Sequence, residues 1–454
     1  MNKKKHALTV FSLVMITVGS VDSIRNLPAT ALFGSELIIF FTFGAIFFLI
    51  PAALISAELA SGWPQQGGIY IWVKESFGKS MGFLAIWLQW ISNVIWYPTI
   101  LSFVAGTIGY LINPNLVNNP YYLWLIIIMA FWGTTFINLC GMTSSALFSN
   151  ICTILGLLLP MSMIIILGVI WLLSGNPMEI SFKLPDLLPH FNSLWVSLTA
   201  IMLSFCGIEI ATVHANDIRD PQHAFPKSLI YSVLIILSTL ICGSLSIAMI
   251  LPHNEINLVA GIMQAFDAFF LRYHFHCLMP YIAIMLVLGG LGSVSNWIIA
   301  PTKGLLIAAQ DGNLPKIFQL VNKNGAPVFM LIFQAIVVTI LSSLFIFMPS
   351  VNGSYWLLTV MAAQLYMLMY LLMFIAAIKL RWSKSMHLRE FCISGGFTGL
   401  LIVAIMGIIG VILTFIVSFI PPNGINIGNV MHYEIILIAG LLLMCSPPLL
   451  ISLR

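Results

Sequence analysis

The chain is a near-unbroken succession of apolar stretches, most of them twenty residues or longer, joined by short connections. That length matches the hydrocarbon core of a bilayer when the stretch is helical, so each run reads as a membrane span. The runs fall near 7–32, 36–60, 82–111, 122–140, 145–174, 193–215, 226–252, 278–308, 327–348, 354–379, 396–420 and 433–453. Twelve spans of about 21 residues use roughly 250 positions, close to the apolar total, and leave no room for a separate soluble domain. Composition agrees: 60% of the 454 residues are hydrophobic and 7% are charged, about a quarter of the charged share of a soluble domain. The expected fold class is an all-α membrane protein of twelve transmembrane helices.

A net charge of +4 is spread along the chain, and no basic run interleaved with aromatics occurs, which argues against nucleic acid as a partner. The lipid bilayer is the expected environment. The seven cysteines are odd in number, isolated and mostly within apolar runs, so they read as packing residues, not as a disulfide framework or metal cluster. The start, Met1 to His6 followed by an apolar run, looks like a signal peptide. The run is too long, however, and lacks a small-x-small cleavage site, so it reads as a retained first helix.

With the N-terminus in the cytoplasm, Lys3, Lys4, Lys5, Lys74, Lys79, Arg219, Lys227, Lys303, Lys316, Lys323, Lys379, Arg381, Lys384, Arg389 and Arg454 fall on or near the inner side. That is fifteen of the 18 basic residues, and the positive-inside rule then predicts a cytoplasmic (inner) membrane protein with both termini inside. Only Lys183 and Arg272 fall outside, and Arg25 lies within a span. Two connections are longer than the rest, 175–192 and 253–275. The second carries apolar residues at helical spacing over 254–270, which predicts a short helix along the outer surface. Residues 67–82 predict a similar helix on the inner side.

Span 1 reads Met15-Ile16-Thr17-Val18-Gly19-Ser20-Val21-Asp22-Ser23-Ile24-Arg25-Asn26-Leu27-Pro28, a polar cluster at hydrocarbon depth. Span 6 repeats the pattern as Ser204-Phe205-Cys206-Gly207-Ile208-Glu209, five spans later. Corresponding interruptions in two halves point to a transporter of inverted repeats, whose unwound segments offer backbone groups to a substrate at the midplane. Because five is odd, the second repeat is inverted. Half-helix N-termini suit a carboxylate and freed carbonyls suit an ammonium or a cation, and an amino acid zwitterion offers both groups.

Two readings stand for each polar residue here. Gly19 and Gly207 also serve close helix packing. Asp22 and Arg25, three apart, read either as a structural ion pair or as substrate contacts and gate. Glu209 has no sequence-local basic partner, so it reads as a coupling or gating acid or as a hydrogen-bonded structural group tied to span 1 or an unwound backbone.

These features resemble the amino acid-polyamine-organocation (APC) transporters, and within them the bacterial glutamate/γ-aminobutyrate antiporters. The resemblance runs over nearly the whole chain. It is carried by Ala57-Glu58-Leu59-Ala60 through Pro64-x-x-Gly67-Gly68-x-Tyr70, by Gly207-Ile208-Glu209 with His214-Ala215-Asn216, by Ser246 to Pro252 through Asn254 to Gly261, and by Pro301-Thr302-Lys303-Gly304 through Pro315. It implies a LeuT-like fold of 5+5 inverted repeats with spans 1 and 6 broken. Residues 1–174 and 193–380 would form the repeats, and 381–454 two additional spans. It further implies alternating access and amino acid exchange, with proton- or sodium-coupled uptake as the alternative. Substrate would sit among Val18, Gly19, Ser20, Asp22, Arg25, Asn93, Ser204, Cys206, Gly207, Ser293, Trp297, Tyr366 and Tyr370, with Glu209 in coupling or gating. No cofactor is implied, and a monomer or homodimer fits equally.

Departures from the antiporter pattern bear on the substrate. Arg25 stands where the glutamate antiporters carry a tyrosine, and Ser293 where they carry a glutamate. Losing an acid and gaining a base makes a cationic substrate less suitable and favours an anionic or polar one if Arg25 lines the path. The acid-resistance antiporters carry a cytosolic plug, and a chain ending at Arg454 is expected to lack that form of pH gating.

Among the other residues, Gln89, Asn93 and Tyr97 lie four apart on one face of span 3 and read as pocket lining or as helix–helix hydrogen bonding. Without the resemblance, Trp297, Tyr366 and Tyr370 would read as packing. His214 reads as a structural or titrating histidine, and Glu58 as an anchor of local loop structure. Ser293 and Ser295 are candidate hydroxyls for sodium coupling. A channel would need a continuous polar lumen or filter repeat, and none recurs. An enzyme would need a catalytic constellation, and His274-x-His276 has no obvious carboxylate partner in sequence. A receptor that keeps a transporter's pocket is the remaining competitor.

Overall fold

A computed structural model describes residues 9–65, 67–140, 152, 154–187, 197–211, 221–384, 386–422 and 425–452. Lys3, Lys4, Lys5, Arg219, Arg454, His214 and the start of the fifth predicted span lie outside the described residues.

Ten described helices are long and apolar enough to cross a membrane. In chain order with the shorter elements, α1 is Val10–Val21, α2 Leu27–Ala31, α3 Gly34–Gly62, α4 Ile69–Phe77, α5 Lys79–Ile112, α6 Pro120–Cys140 and α7 Ile154–Leu173. They are followed by α8 Ser197–Ser204, α9 Ile208–Ala211, α10 Pro221–Ile250, α11 Gly261–Tyr273, α12 Met279–Ala308, α13 Val328–Ser342, α14 Val351–Ser383, α15 Gly396–Val417 and α16 Val430–Ser452. The first and sixth predicted spans are each interrupted, as α1 with α2 and as α8 with α9. Every other predicted apolar run has a continuous helical counterpart.

Helix α5, 34 residues long, reaches about 51 Å at 1.5 Å per residue, well beyond a hydrocarbon core. It forms the centre of the packing, against α12 and α14. At the periphery α16 leaves Leu442 and Leu443 68% and 66% exposed, apolar surface that hydrocarbon would cover. The predicted outer helix begins later than expected, at Gly261, and its apolar face is covered by protein: Ile262, Phe266, Phe269 and Phe270 are fully buried.

The connections sort into two groups by their mutual contacts. In one group Tyr70 and Lys74 meet Asp311, Arg381 pairs with Glu58 at 2.7 Å, Lys384 pairs with Glu75 at 2.6 Å, and Asn322 and Asn324 donate to the carbonyls of Leu139 and Cys140. The Lys74 ammonium beside Asp311 holds that carboxyl below its ordinary value of 3.8. In the other group Ser35 donates to the Asp186 carbonyl, Asn257 to Asn118, Ser350 to the Asn426 carbonyl and Arg272 to Asn176, while Asn352 accepts from the Leu258 amide.

Glu58 is an anchor, as expected. Its Oε2 accepts from the Ile393 amide at 2.8 Å, so it ties the α14–α15 connection to the end of α3. His276 corrects its reading, because α11 brings Asp267 to 3.6 Å from its ring. No group of three metal-ligating side chains forms among the described residues.

Candidate functional site

Helix α1 stops at Val21 because the residues that follow cannot extend it in an apolar setting. Asp22 is buried and Ser23 is extended at φ −151°, ψ 116°. The chain resumes through one tight turn into α2, where Pro28 sits near the helix start, the place where its missing N–H costs nothing. Helix α10 holds both halves. Thr239 donates to Asp22 Oδ2 at 2.8 Å, and Ser244 and Thr30 share a hydrogen bond of 2.6 Å.

This break separates Asp22 from Arg25. Residues three apart meet on a helix, but no helix runs between these two, and they form no ion pair. Arg25, 2% exposed, donates from Nη1 to Thr99 Oγ1 at 2.8 Å and to the Tyr355 hydroxyl at 3.1 Å, and its guanidinium lies 5.0 Å from the Trp96 ring centroid. Arg25 Nε and Asp22 Oδ1 are buried with no hydrogen-bond partner. The ion-pair reading of Asp22 and Arg25 is therefore corrected.

The second break lies between α8 and α9. Gly207 has φ +108°, and a Cβ there would come within 2.8 Å of the Trp297 ring and 3.1 Å of the Ser20 carbonyl. Only glycine combines that backbone with this approach. Its N–H donates to the Tyr370 hydroxyl at 3.1 Å, and that hydroxyl in turn donates to Glu209 Oε2. Glu209 Oε1 accepts from Gln89 at 2.8 Å and from Tyr366 at 3.1 Å. The carboxyl thus joins α9 to α5 and α14.

The two breaks face a common cavity. Its larger part, about 80 Å³, is lined by Gly19, Ser20, Asp22, Arg25, Ser293 and Trp297 with Ile100, Phe103, Gly289 and Gly290. A smaller adjoining part of about 40 Å³ shares those first six and adds Asn93, Trp96, Cys206 and Tyr366. Of the residues expected at the site, Val18, Ser204, Gly207, Glu209 and Tyr370 stand behind the lining. Val18 accepts the Asp22 amide through its carbonyl, and Ser204 bonds the Ile201 carbonyl. Tyr97 is buried against Phe131 and lines neither part.

The sequence reading missed Thr99, Tyr355 and Thr239, the partners of Arg25 and Asp22. It also missed the glycines of α12, although Gly289-Gly290-Leu291-Gly292 carries a readable small-residue signal. A Cβ on Gly156 of α7 would sit 2.2 Å from Gly289 Cα, so these helices touch backbone to backbone at the cavity wall.

The amino acid permease family model matches residues 8–441. The chain belongs to the amino acid permease family. Among the relatives of this permease is an uncharacterized transporter of Legionella pneumophila, 46% identical over all of this chain and 98% of that protein. A glutamate/γ-aminobutyrate antiporter of Lactococcus lactis is 29% identical over 99% and 91% of the two chains. A probable agmatine/putrescine antiporter of the same species is 22% identical over 93% and 90%. The permease is a multi-pass membrane protein that carries small solutes by secondary transport, and it is not an enzyme.

Proposed function

We propose that this permease exchanges amino acids across the cytoplasmic membrane by alternating access, in a LeuT-like arrangement of twelve crossings with 5+5 inverted repeats. The observation that carries the reading is the meeting of two interrupted segments, five spans apart, at one cavity, with Gly207 packed against Ser20 and Trp297. A continuous helix hides its backbone polar groups, whereas α1 and α8 both end at the cavity, and the end of α1 is suited to offer carbonyls to an ammonium. Likeness to an exchanger over nearly the whole chain favours exchange over coupled import.

The two groups of connections support the count of crossings. Contacts of the first group join connections after even-numbered segments, and those of the second join connections after odd-numbered ones. Twelve successive crossings produce that sorting. Lysine and arginine concentrate in the first group, which favours a cytoplasmic position for that side and for both termini. Glu209, tied to α5 and α14 behind the cavity, is suited to hold or release α9 as the site changes access.

The test is uptake of a panel of radiolabelled amino acids into proteoliposomes with an empty lumen, with lumenal amino acid, or with an imposed proton or sodium gradient. Exchange predicts uptake only into preloaded vesicles. Gradient-driven uptake into empty vesicles would replace it with a coupled importer.

A further inference from the structure

Arg25 is a buried cation without an acid. Among the described residues its recorded partners are two hydroxyls and an aromatic face, all neutral. Taking a guanidinium out of water costs several kcal/mol, and such groups return only part of that. Asp22, the nearest acid in sequence, is bonded to Thr239. Arg25 and Asp22 nevertheless line the same cavity, one as a cation and one as a carboxyl with an unpartnered oxygen.

The position of the cation along the cavity indicates which part of a substrate it meets. On α5, Asn93 lines the part beside Cys206 and the second break, which Arg25 also lines, and Thr99, which holds the Nη1 end of Arg25, lies six residues further. At 1.5 Å per residue that is about 9 Å. An amino acid seated with its ammonium at the carbonyl end of α1, where Ser20 packs against Gly207, and with its side chain running along α5 would meet the Nη1 end of Arg25 with the tip of that side chain. Thr99 and Tyr355 both engage Nη1, which fixes the plane of the fork, and Nε is left without a hydrogen-bond partner, so the guanidinium retains donor capacity for a carboxylate. The guanidinium carbon lies 5.0 Å from the Trp96 ring centroid and 6.0 Å from that of Tyr355, so its immediate surroundings are aromatic and uncharged.

We infer that Arg25, held by Thr99 and Tyr355, is a specificity residue that selects amino acids with an anionic side chain over their amides. The inference rests on the amino acid exchange reading above. Arg25 contacts the substrate, and Thr99 and Tyr355 act as positioning residues through it. An amide brings no charge to the buried cation and offers one acceptor where a carboxylate offers two.

The experiment measures competition by glutamate against glutamine, and aspartate against asparagine, for uptake of labelled acidic amino acid into preloaded proteoliposomes. Thermal unfolding of detergent-purified protein with each compound supplies a binding readout independent of flux. The expected result is at least tenfold preference for each acid over its amide, and a rise in melting temperature with the acids alone. Arg25→Gln should bring the ratio near one. Thr99→Val and Tyr355→Phe, which keep the cation and loosen its orientation, should lower it several-fold. Wild-type protein that exchanges acids and amides equally well would overturn the inference and leave exchange standing. So would an unchanged ratio in Tyr355→Phe and Arg25→Gln. Folded wild-type protein that exchanges no amino acid, and melts identically with all, would overturn the exchange reading and this inference together.

Discussion

Replacing Tyr370 with phenylalanine removes one oxygen that serves two partners: it accepts the Gly207 amide at 3.1 Å and donates to Glu209. A hydrogen bond to a charged group contributes about 1.5–3 kcal/mol, and a buried N–H left without an acceptor costs about 1–3 kcal/mol. The loss expected for Tyr370→Phe is therefore about 2.5–6 kcal/mol. Tyr366 lies one turn earlier on the same helix and donates to the same carboxyl at 3.1 Å. Tyr366→Phe should accordingly lose about 1.5–3 kcal/mol. Both variants delete one buried hydroxyl bonded to Glu209, and only Tyr370→Phe also strips the Gly207 amide of its acceptor. Unfolding of the purified protein by titration with a denaturing detergent measures the two losses. In a Glu209→Gln background the Tyr370 loss should shrink toward that of the amide alone, because the donor–carboxyl contribution is already weakened. Equal losses for the two phenylalanine variants, or a larger one at Tyr366, would refute the idea that a single oxygen holds the second break in place.

Gly207→Ala drives a Cβ to 2.8 Å from Trp297 in a backbone conformation unsuited to alanine, and should cost about 1–3 kcal/mol and slow exchange; thermal unfolding and uptake check it, and wild-type values in both would contradict the close approach. Gly156→Ala, aimed 2.2 Å from Gly289 Cα, should destabilise by a similar amount, while Gly133→Ala, with nothing within 4 Å, should be neutral or gain up to about 1 kcal/mol. If both alanines melt alike, the backbone contact between α7 and α12 is not there. Asp311 titrates below its ordinary 3.8 because Lys74 bonds it, so its folded value lies under its unfolded one. Its stabilising contribution is full above pH 3.8 and is lost as pH falls through the lower folded value. Asp311→Asn should therefore lower the melting temperature slightly at pH 7 and leave it unchanged in strong acid, and a deficit that persists in acid would argue against the ion pair.

The two interruptions were legible because membrane helices rarely carry Gly19, Ser20, Asp22 and Arg25 within seven positions. The ion-pair alternative for Asp22 and Arg25 fails for the same reason, since the spacing rule that joins them presumes the helix that the cluster breaks. Their partners could not be read at all. Thr239 lies 217 residues from Asp22, and Tyr355 lies 330 from Arg25. Nothing in an isolated hydroxyl signals which distant helix it faces. Glu209 stood out by its burial in an apolar run, while the three donors that hold it came from Gln89, Tyr366 and Tyr370, each of which also fitted a packing role. The outer helix was recognisable from its apolar spacing, but that spacing could not distinguish a face laid on lipid from one covered by protein.

The two groups of connections differ in the chemistry that holds them closed. The first relies on full charges: Lys74 with Asp311, Arg381 with Glu58 and Lys384 with Glu75. The second relies mainly on asparagine amides and backbone carbonyls, with His276 and Asp267 as its one acid–base contact among the described residues. Dissolved ions screen exposed charges over about 10 Å at 0.1 M, and they leave neutral hydrogen bonds largely untouched. Rising electrolyte concentration therefore weakens the partly exposed Lys74–Asp311 and Lys384–Glu75 pairs of the first group, leaves the buried Arg381–Glu58 pair largely intact, and spares the second group.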